Sequence, residues 1–292
     1  MTTTMADMVA NVRRTAYGSM SESRNYLAAA YTAGDSSISL ELDVTGITPG
    51  TILSCGLNTW YVKEVTTSTN SVSVAGGEDG APEMDAAIGA RVLIRPRVTD
   101  WWVFDRLKTE IKAMSSPVDG LYKIGSWLAV ADGYANNYPV PTGISLGRIA
   151  RVRWLDYGTP NNWIDLGPSS FVRDDINGLV RLTRMTPAGA SVQFIYTSEF
   201  TEPVYLTDDP VADCGLSESM LDIPVLGAVS TLLLTTEARR NQVQAQGDPR
   251  RADEVQTGGN TNAARFFRSE RQNRVNDEYA RLVQALSIRQ GT

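Results

Sequence analysis

SISLELDVTGITPGTILSCGLNTWYVKEVTTSTNSVSVAGGEDGAPEMDAAIGARVLIRP, residues 37–96, reads as one compact β module. Short runs rich in Val, Ile and Thr alternate with Gly, Pro and Asn turns, and the period-2 signal stops at Pro96. The chain then changes period in VTDWWVFDRLKTEIKAM, residues 98–114. Val103, Leu107, Ile111 and Met114 have helical spacing, Thr99 stands as N-cap, and Ser115-Ser116-Pro117 ends the helix. The run Gly76-Gly77-Glu78-Asp79-Gly80 lacks the spaced acids and terminal Glu of a calcium loop, and reads as the tip of a hairpin.

Outward from that module, the pattern predicts three more helices and a second β region. A first helix covers Ala6–Tyr17, with Met8, Val12 and Ala16 on one face. A third begins at Asp222-Ile223-Pro224, with proline in its first turn, and runs toward Gly247-Asp248-Pro249. A fourth opens after Gly258-Gly259-Asn260, with an apolar stripe of Phe267, Val275, Tyr279, Leu282 and Leu286 opposite many arginines. Between the second and third helices, residues 120–206 hold six to eight short strands, including Trp127–Val130, Ile149–Trp154, Val180–Thr183 and Val192–Thr197. Dense turn signals such as Asn177-Gly178 and Pro187-Ala188-Gly189 fit an antiparallel sandwich.

No helix can bury its stripe alone, so the expected fold is α+β, a small α-helical hub with two inserted antiparallel β modules. Those modules are a small β module and a β-sandwich. The expected divisions are 1–33 for the first hub segment, 34–98 for the small module and 99–117 for the hub helix. They continue with 118–210 for the sandwich and 211–292 for the C-terminal hub with a long polar loop.

Composition narrows the function. The chain has 292 residues, a net charge of −6 and no histidine. The charge argues against a surface built to neutralise phosphates. Without histidine, Ser-His-Asp and Cys-His activation and most zinc sites are excluded. No carboxylate pair stands out, so no enzyme, cofactor or metal site is expected. Cys55 and Cys214 lack metal-ligand spacing and read as two buried thiols. No apolar run approaches the roughly 20 residues of a membrane span; Val225–Leu234 is interrupted by Gly227, Ser230 and Thr231. The N-terminus also lacks a secretory signal, so the expectation is a soluble chain made in the cytoplasm, with no membrane partner.

Two motifs in order carry a resemblance. The β module, with its "GITPGTIL" turn, "WYVKEV" strand, "SVSVAGGEDG" segment and "GARVLIRP" closing strand, resembles a module of tailed-bacteriophage neck proteins. GLSESMLDIPVLGAVSTLLLTTEARRNQVQAQGDPRRADEVQTGGN, residues 215–260, is similar to a stretch of head-to-tail adaptor (connector) proteins of siphophages of actinobacteria. Gly215, Leu216, Asp222, Ile223, Pro224, Gly227, Ala228, Arg250, Arg251 and Glu254 carry it, with Arg271, Arg274, Glu278 and Arg281 on the last helix.

The resemblance implies a virion structural protein in the neck, between capsid and tail. Such a protein forms a homo-oligomeric ring beneath the portal, roughly twelve-fold, through a heterologous interface. Its partners are the portal protein and the next neck or tail protein. Double-stranded DNA passes through the central channel without sequence-specific binding. Alternative readings are another neck, tail-ring or baseplate component, or a carbohydrate-binding module presenting Trp127, Trp154 and Trp163 of the sandwich to a host glycan.

Arginine far outnumbers lysine, which occurs only as Lys63, Lys108, Lys112 and Lys123. Arg239, Arg240, Arg250, Arg251, Glu254, Arg265, Arg268, Arg271, Arg274 and Arg281 are the candidate inter-subunit or portal contacts, since guanidinium forks hold carboxylates in desolvated interfaces. The alternative is a solvated helix face paired with Glu270, Asp277 and Glu278. Residues 247–262 are long and polar for a helix connection, either ordering on a neighbour or serving as a surface loop. The acids of the first module (Asp35, Glu41, Asp43, Glu64, Glu78, Asp79, Glu83 and Asp85) either line a DNA channel or are ordinary surface charge.

Overall fold

The computed structural model describes residues 3–18, 22–131, 133, 136–142, 144, 147–156, 162–183, 186–245 and 259–287. Among them are four α-helices and thirteen strands, and every strand pairing is antiparallel, so the fold is α+β. The chain divides into two compact units, Met1–Ile111 with Glu202–Arg274, and Lys112–Thr201 with Val275–Thr292.

In the first unit, helix α1 (Met5–Tyr17) opens with a capping box, in which the Asp7 amide donates to Thr4 Oγ1 and the Thr4 amide to Asp7 Oδ2. The Met5 and Ala6 amides, orphaned at the helix start, donate to the carbonyls of Asp208 and Leu206 at 2.9 Å. Met5, Met8, Val9 and Val12 are buried, while Ala16 is only half-buried. Six strands follow: β1 (Ser23–Tyr26), β2 (Ser37–Ser39), β3 (Ile52–Cys55), β4 (Asn58–Thr66), β5 (Ser71–Ala75) and β6 (Arg91–Ile94), in the order β1-β6-β3-β4-β5-β2. Cys55 faces Asn58 across a two-residue loop, and Gly56 takes φ +56° there, which suits the first position of such a loop only to glycine.

The two outer strands meet. Leu27 bridges Leu40, the Ala28 amide donates to Ser39 and the Glu41 amide to Tyr26, so the sheet closes as a small barrel. Leu27, Ile38, Leu40, Leu53, Trp60, Val62, Val72, Val74 and Val92 fill it. Closure removes the exposed edges that a sheet of this size presents.

The Gly76–Gly80 run is not a hairpin tip. β5 pairs with β4 and β2, whereas β6 lies between β1 and β3, so the chain crosses the barrel after Ala75. Positive φ at Gly77, Asp79 and Gly80 turns it onto that path.

Helix α2 (Asp100–Met114) starts where expected, with the Trp102 amide donating to Thr99 Oγ1 at 3.3 Å. Trp101 and Trp102 are both half-buried, Trp101 beside Phe104 and Trp102 beneath the Arg106 guanidinium.

The second unit holds seven strands: β7 (Lys123–Val130), β8 (Asn137–Pro139), β9 (Arg148–Leu155), β10 (Trp163–Leu166), β11 (Phe171–Asp174), β12 (Leu179–Leu182) and β13 (Ser191–Ser198). Sheets β10-β9-β13-β7 and β11-β12-β8 share one core of Trp127, Tyr138, Val152, Leu166, Val180, Val192 and Phe194. Trp127 stacks on Phe194 with ring centres 4.6 Å apart. The Asn177-Gly178 turn is held by Asp174, which accepts from the Asn177 amide. Arg151 pairs with Asp165 across β9 and β10.

Helices α3 (Asp222–Ala245) and α4 (Gly259–Ser287) complete the chain. α3 packs on α1 and buries Ile223, Val225, Ala228, Val229, Leu232 and Leu233. Glu218–Thr236 is long and apolar enough to cross a membrane by length and composition alone, but 56% of that window is buried inside the protein, as in a core helix. The stripe on α4 differs from its expected form. Ala264, Val275 and Glu278 are buried, Tyr279 is half exposed, and the Leu286 side chain lies outside the described residues. The Tyr279 ring instead covers Gly120, whose φ of +65° and lack of a side chain leave it room.

Candidate functional site

The arginines of α4 fall into two groups. Arg271 Nε donates to Glu110 Oε2 at 2.8 Å, with both side chains largely buried. That carboxylate lies against Gly227 of α3, where a Cβ would come within 2.2 Å of it. Arg274 donates to Asp222 at 2.6 Å and to the Ser219 carbonyl at 2.7 Å, so it ties α4 to the first turn of α3. Here the Asp222 carboxylate complements the helix N-terminus as well as the guanidinium. Arg281 pairs with Glu278 one turn away at 2.6 Å. Glu110, Asp222, Gly227, Arg271 and Arg274 thus form one junction of α2, α3 and α4, although they are spread over more than half the sequence.

Arg265 and Arg268 are exposed and make no ion pair among the described residues. Between them Phe266 is 63% exposed, its ring edge-on to Phe267. A large aromatic flanked by unpaired guanidiniums has the composition of an interface hot spot. Arg239 and Arg240 belong to α3; their side chains, and Arg250, Arg251 and Glu254 altogether, lie outside the described residues.

A second cationic feature escaped the sequence reading. A groove of about 1400 Å³ runs between α1 and the outer wall of the barrel. Its lining includes Arg13, Arg14, Arg24, Arg91, Arg95 and Arg97, set against Glu22, Asp85 and Asp100. Arg13 holds both Glu22 and Asp100 and also donates to the Val98 carbonyl at 3.0 Å. Burial pushes the Asp100 carboxyl above its ordinary range, against the pull of Arg13. Cys55 sits in the floor, 4% exposed, and burial, helped by the Asp100 charge, raises its thiol to about 11. The groove's arginines lie in two short runs, Arg13-Arg14 and Arg91 to Arg97, plus Arg24, and nothing local in the sequence says that the fold brings these together.

Two acids of the barrel module hold local turns, and a third ties two distant segments together. Asp35 accepts from the Thr32 amide, Asp85 from the Ala33 amide and Asp43 from Thr45. The Thr45 hydroxyl and amide hold the Asp43 carboxyl below its usual range. Among the described residues no three His, Cys, Asp or Glu side chains gather as metal ligands. Neither cysteine is in a disulfide, and both are buried. Of the sandwich tryptophans, Trp127 is buried and Trp154 and Trp163 are half-buried, Trp163 beneath the Arg153 guanidinium at 4.7 Å. In comparisons with known proteins, no family and no curated protein matches the chain.

Proposed function

We propose that the chain is a head-to-tail adaptor of a long-tailed phage, a non-enzymatic virion protein that forms a ring beneath the portal. The observation that carries this reading is the exposed Arg265–Phe266–Arg268 patch on α4, a helix whose other arginines are already engaged within the chain. Inward pairs lock the helix to the hub, and the outward trio is left to meet a carboxylate-bearing surface on the neighbouring subunit or the portal. A closed ring needs such a front-to-back contact, repeated identically around the axis. The motif residues that suggested the family also gain a structural reason. Asp222 and Gly227 make the junction, and Leu216, Ile223 and Ala228 are in the core.

In the working ring, double-stranded DNA passes through the channel without sequence-specific contacts, and the face away from the portal receives the next neck or tail protein. Negative-stain electron microscopy of the protein mixed with its phage's portal tests this directly. The expected result is portal rings carrying an added symmetric layer, which a folded Arg265→Glu/Phe266→Ala/Arg268→Glu variant fails to form. Portal rings without that layer, and the protein instead at the tail tip of intact virions, would overturn the reading in favour of a baseplate role.

A further inference from the structure

We infer that the groove between α1 and the barrel is a docking site for an extended acidic peptide segment of a partner protein. This inference does not rest on the adaptor reading. Arg14, Arg24 and Arg91 line the groove, are exposed, and make no ion pair among the described residues. The placement of Arg24 and Arg91 is mildly unfavourable without a ligand. In the β1–β6 ladder Arg24 faces Leu93 and Arg91 faces Tyr26, so the two arginines are diagonal neighbours on the same outer face, about 7–8 Å apart between backbones. Like charges so placed repel; the Asp100 charge offsets part of that on Arg91, but the acids of the groove are ion-paired or hydrogen-bonded elsewhere. Glu22 and Asp100 are held by Arg13, and Asp85 caps the Ala33 amide. An anionic ligand would relieve that repulsion.

The chemistry of the groove selects the class of anion. The protein as a whole carries −6, so this concentration of cations runs against its average charge. Guanidinium forks match carboxylates two oxygens at a time. The floor between them is apolar. Among the side chains that line the groove, Tyr205 is 51% exposed, and Tyr17, Ile94 and Leu206 are half-buried and accessible. Cations beside accessible apolar side chains suit a peptide that carries both acidic and aliphatic residues. A nucleic-acid duplex presents phosphates without an apolar complement.

The test is fluorescence anisotropy of a labelled eight-residue peptide of alternating Asp/Glu and Leu, titrated with the full chain. A peptide with Asn/Gln in place of the acids and a labelled DNA duplex serve as controls. The expected result is that the acidic peptide binds more tightly than both controls and weakens with salt. Arg14→Ala/Arg24→Ala/Arg91→Ala should then lose roughly tenfold in affinity, a modest contribution from each of three surface charges. Those side chains are exposed and unpaired, so the variant keeps its fold, which circular dichroism checks. Arg265→Ala/Arg268→Ala should bind like the parent. Equal binding of the neutral peptide, an unaffected triple variant, or a duplex that binds in the groove and is not displaced by the peptide would each overturn the assignment.

Discussion

Replacing Gly227 by alanine probes the helix junction more sharply than removing a charge. On an open helix face this change gains about 1 kcal/mol, because glycine is the poorer helix former. At Gly227 the new methyl would lie 2.2 Å from Glu110 Oε2 and 2.3 Å from its Cδ, so the carboxylate must leave. Leaving separates it from Arg271, with the two side chains 19% and 12% exposed. Breaking a fully buried ion pair costs about 3–5 kcal/mol and an exposed one less than about 1. At this partial burial the loss is about 3 kcal/mol, which exceeds the propensity gain by about 2. For a unit of this size that lowers the melting temperature by about 4–8 °C.

Thermal unfolding followed by circular dichroism measures the change, and a second background isolates its cause. In a Glu110→Ala chain the obstruction and the ion pair are both already gone. There the same Gly227→Ala substitution should raise stability by up to about 1 kcal/mol. The sign reversal is the decisive result. If alanine at 227 stabilises the parent chain, or destabilises both backgrounds equally, the close approach of Glu110 is not why glycine stands there.

Two further outcomes concern buried groups. Because burial raises Asp100's folded pKa, the fold favours its protonated form. Ionised Asp100 therefore detracts from stability at neutral pH, and the parent regains that loss as pH falls through the raised value toward the ordinary 3.8. Asp100→Asn, which mimics the protonated carboxyl, should be more stable than the parent at pH 7, with the gap closing in acid. Urea unfolding at both ends of the range measures it, and a gap that widens in acid would contradict the burial argument. Cys55, with its thiol raised to about 11, and Cys214, fully buried, should stay unmodified by an aromatic disulfide reagent at pH 8 in the native chain. Both should react once the chain is denatured, and rapid native labelling of either would show that its packing is looser than the core it belongs to.

What could be read from the sequence divides along a physical line. Val72 and Val74 alternate with serines in β5, and Val103, Leu107 and Ile111 recur at helical spacing in α2. Such periods are local, so the helix read from Thr99 to Met114 lies at Asp100–Met114, and the β5 valines fall on the alternation of the module. Four of the seven sandwich strands were legible for the same reason, bounded by turns such as Asn177-Gly178 whose φ of +62° at Gly178 suits glycine. β7, though, begins at Lys123, before the expected Trp127. Pairing across long separations was not legible. Nothing around Gly76–Gly80 says that β6 inserts between β1 and β3, because a glycine-rich turn serves a hairpin and a crossover equally well.

The candidate site follows the same rule. Arg265 and Arg268 stand within one helical turn and could be singled out as a pair. Whether a given guanidinium on that helix faces outward depends on partners far away in sequence, as Arg271 does on Glu110. The groove is the extreme case. Its arginines come from α1, β1, β6 and the segment before α2, so their common charge exists only once the barrel has closed against the helix. A cation pattern assembled by topology is therefore the stronger sign of a recognition surface. No local requirement of helix or strand accounts for it, and the repulsion it builds in favours a partner that brings the opposite charge.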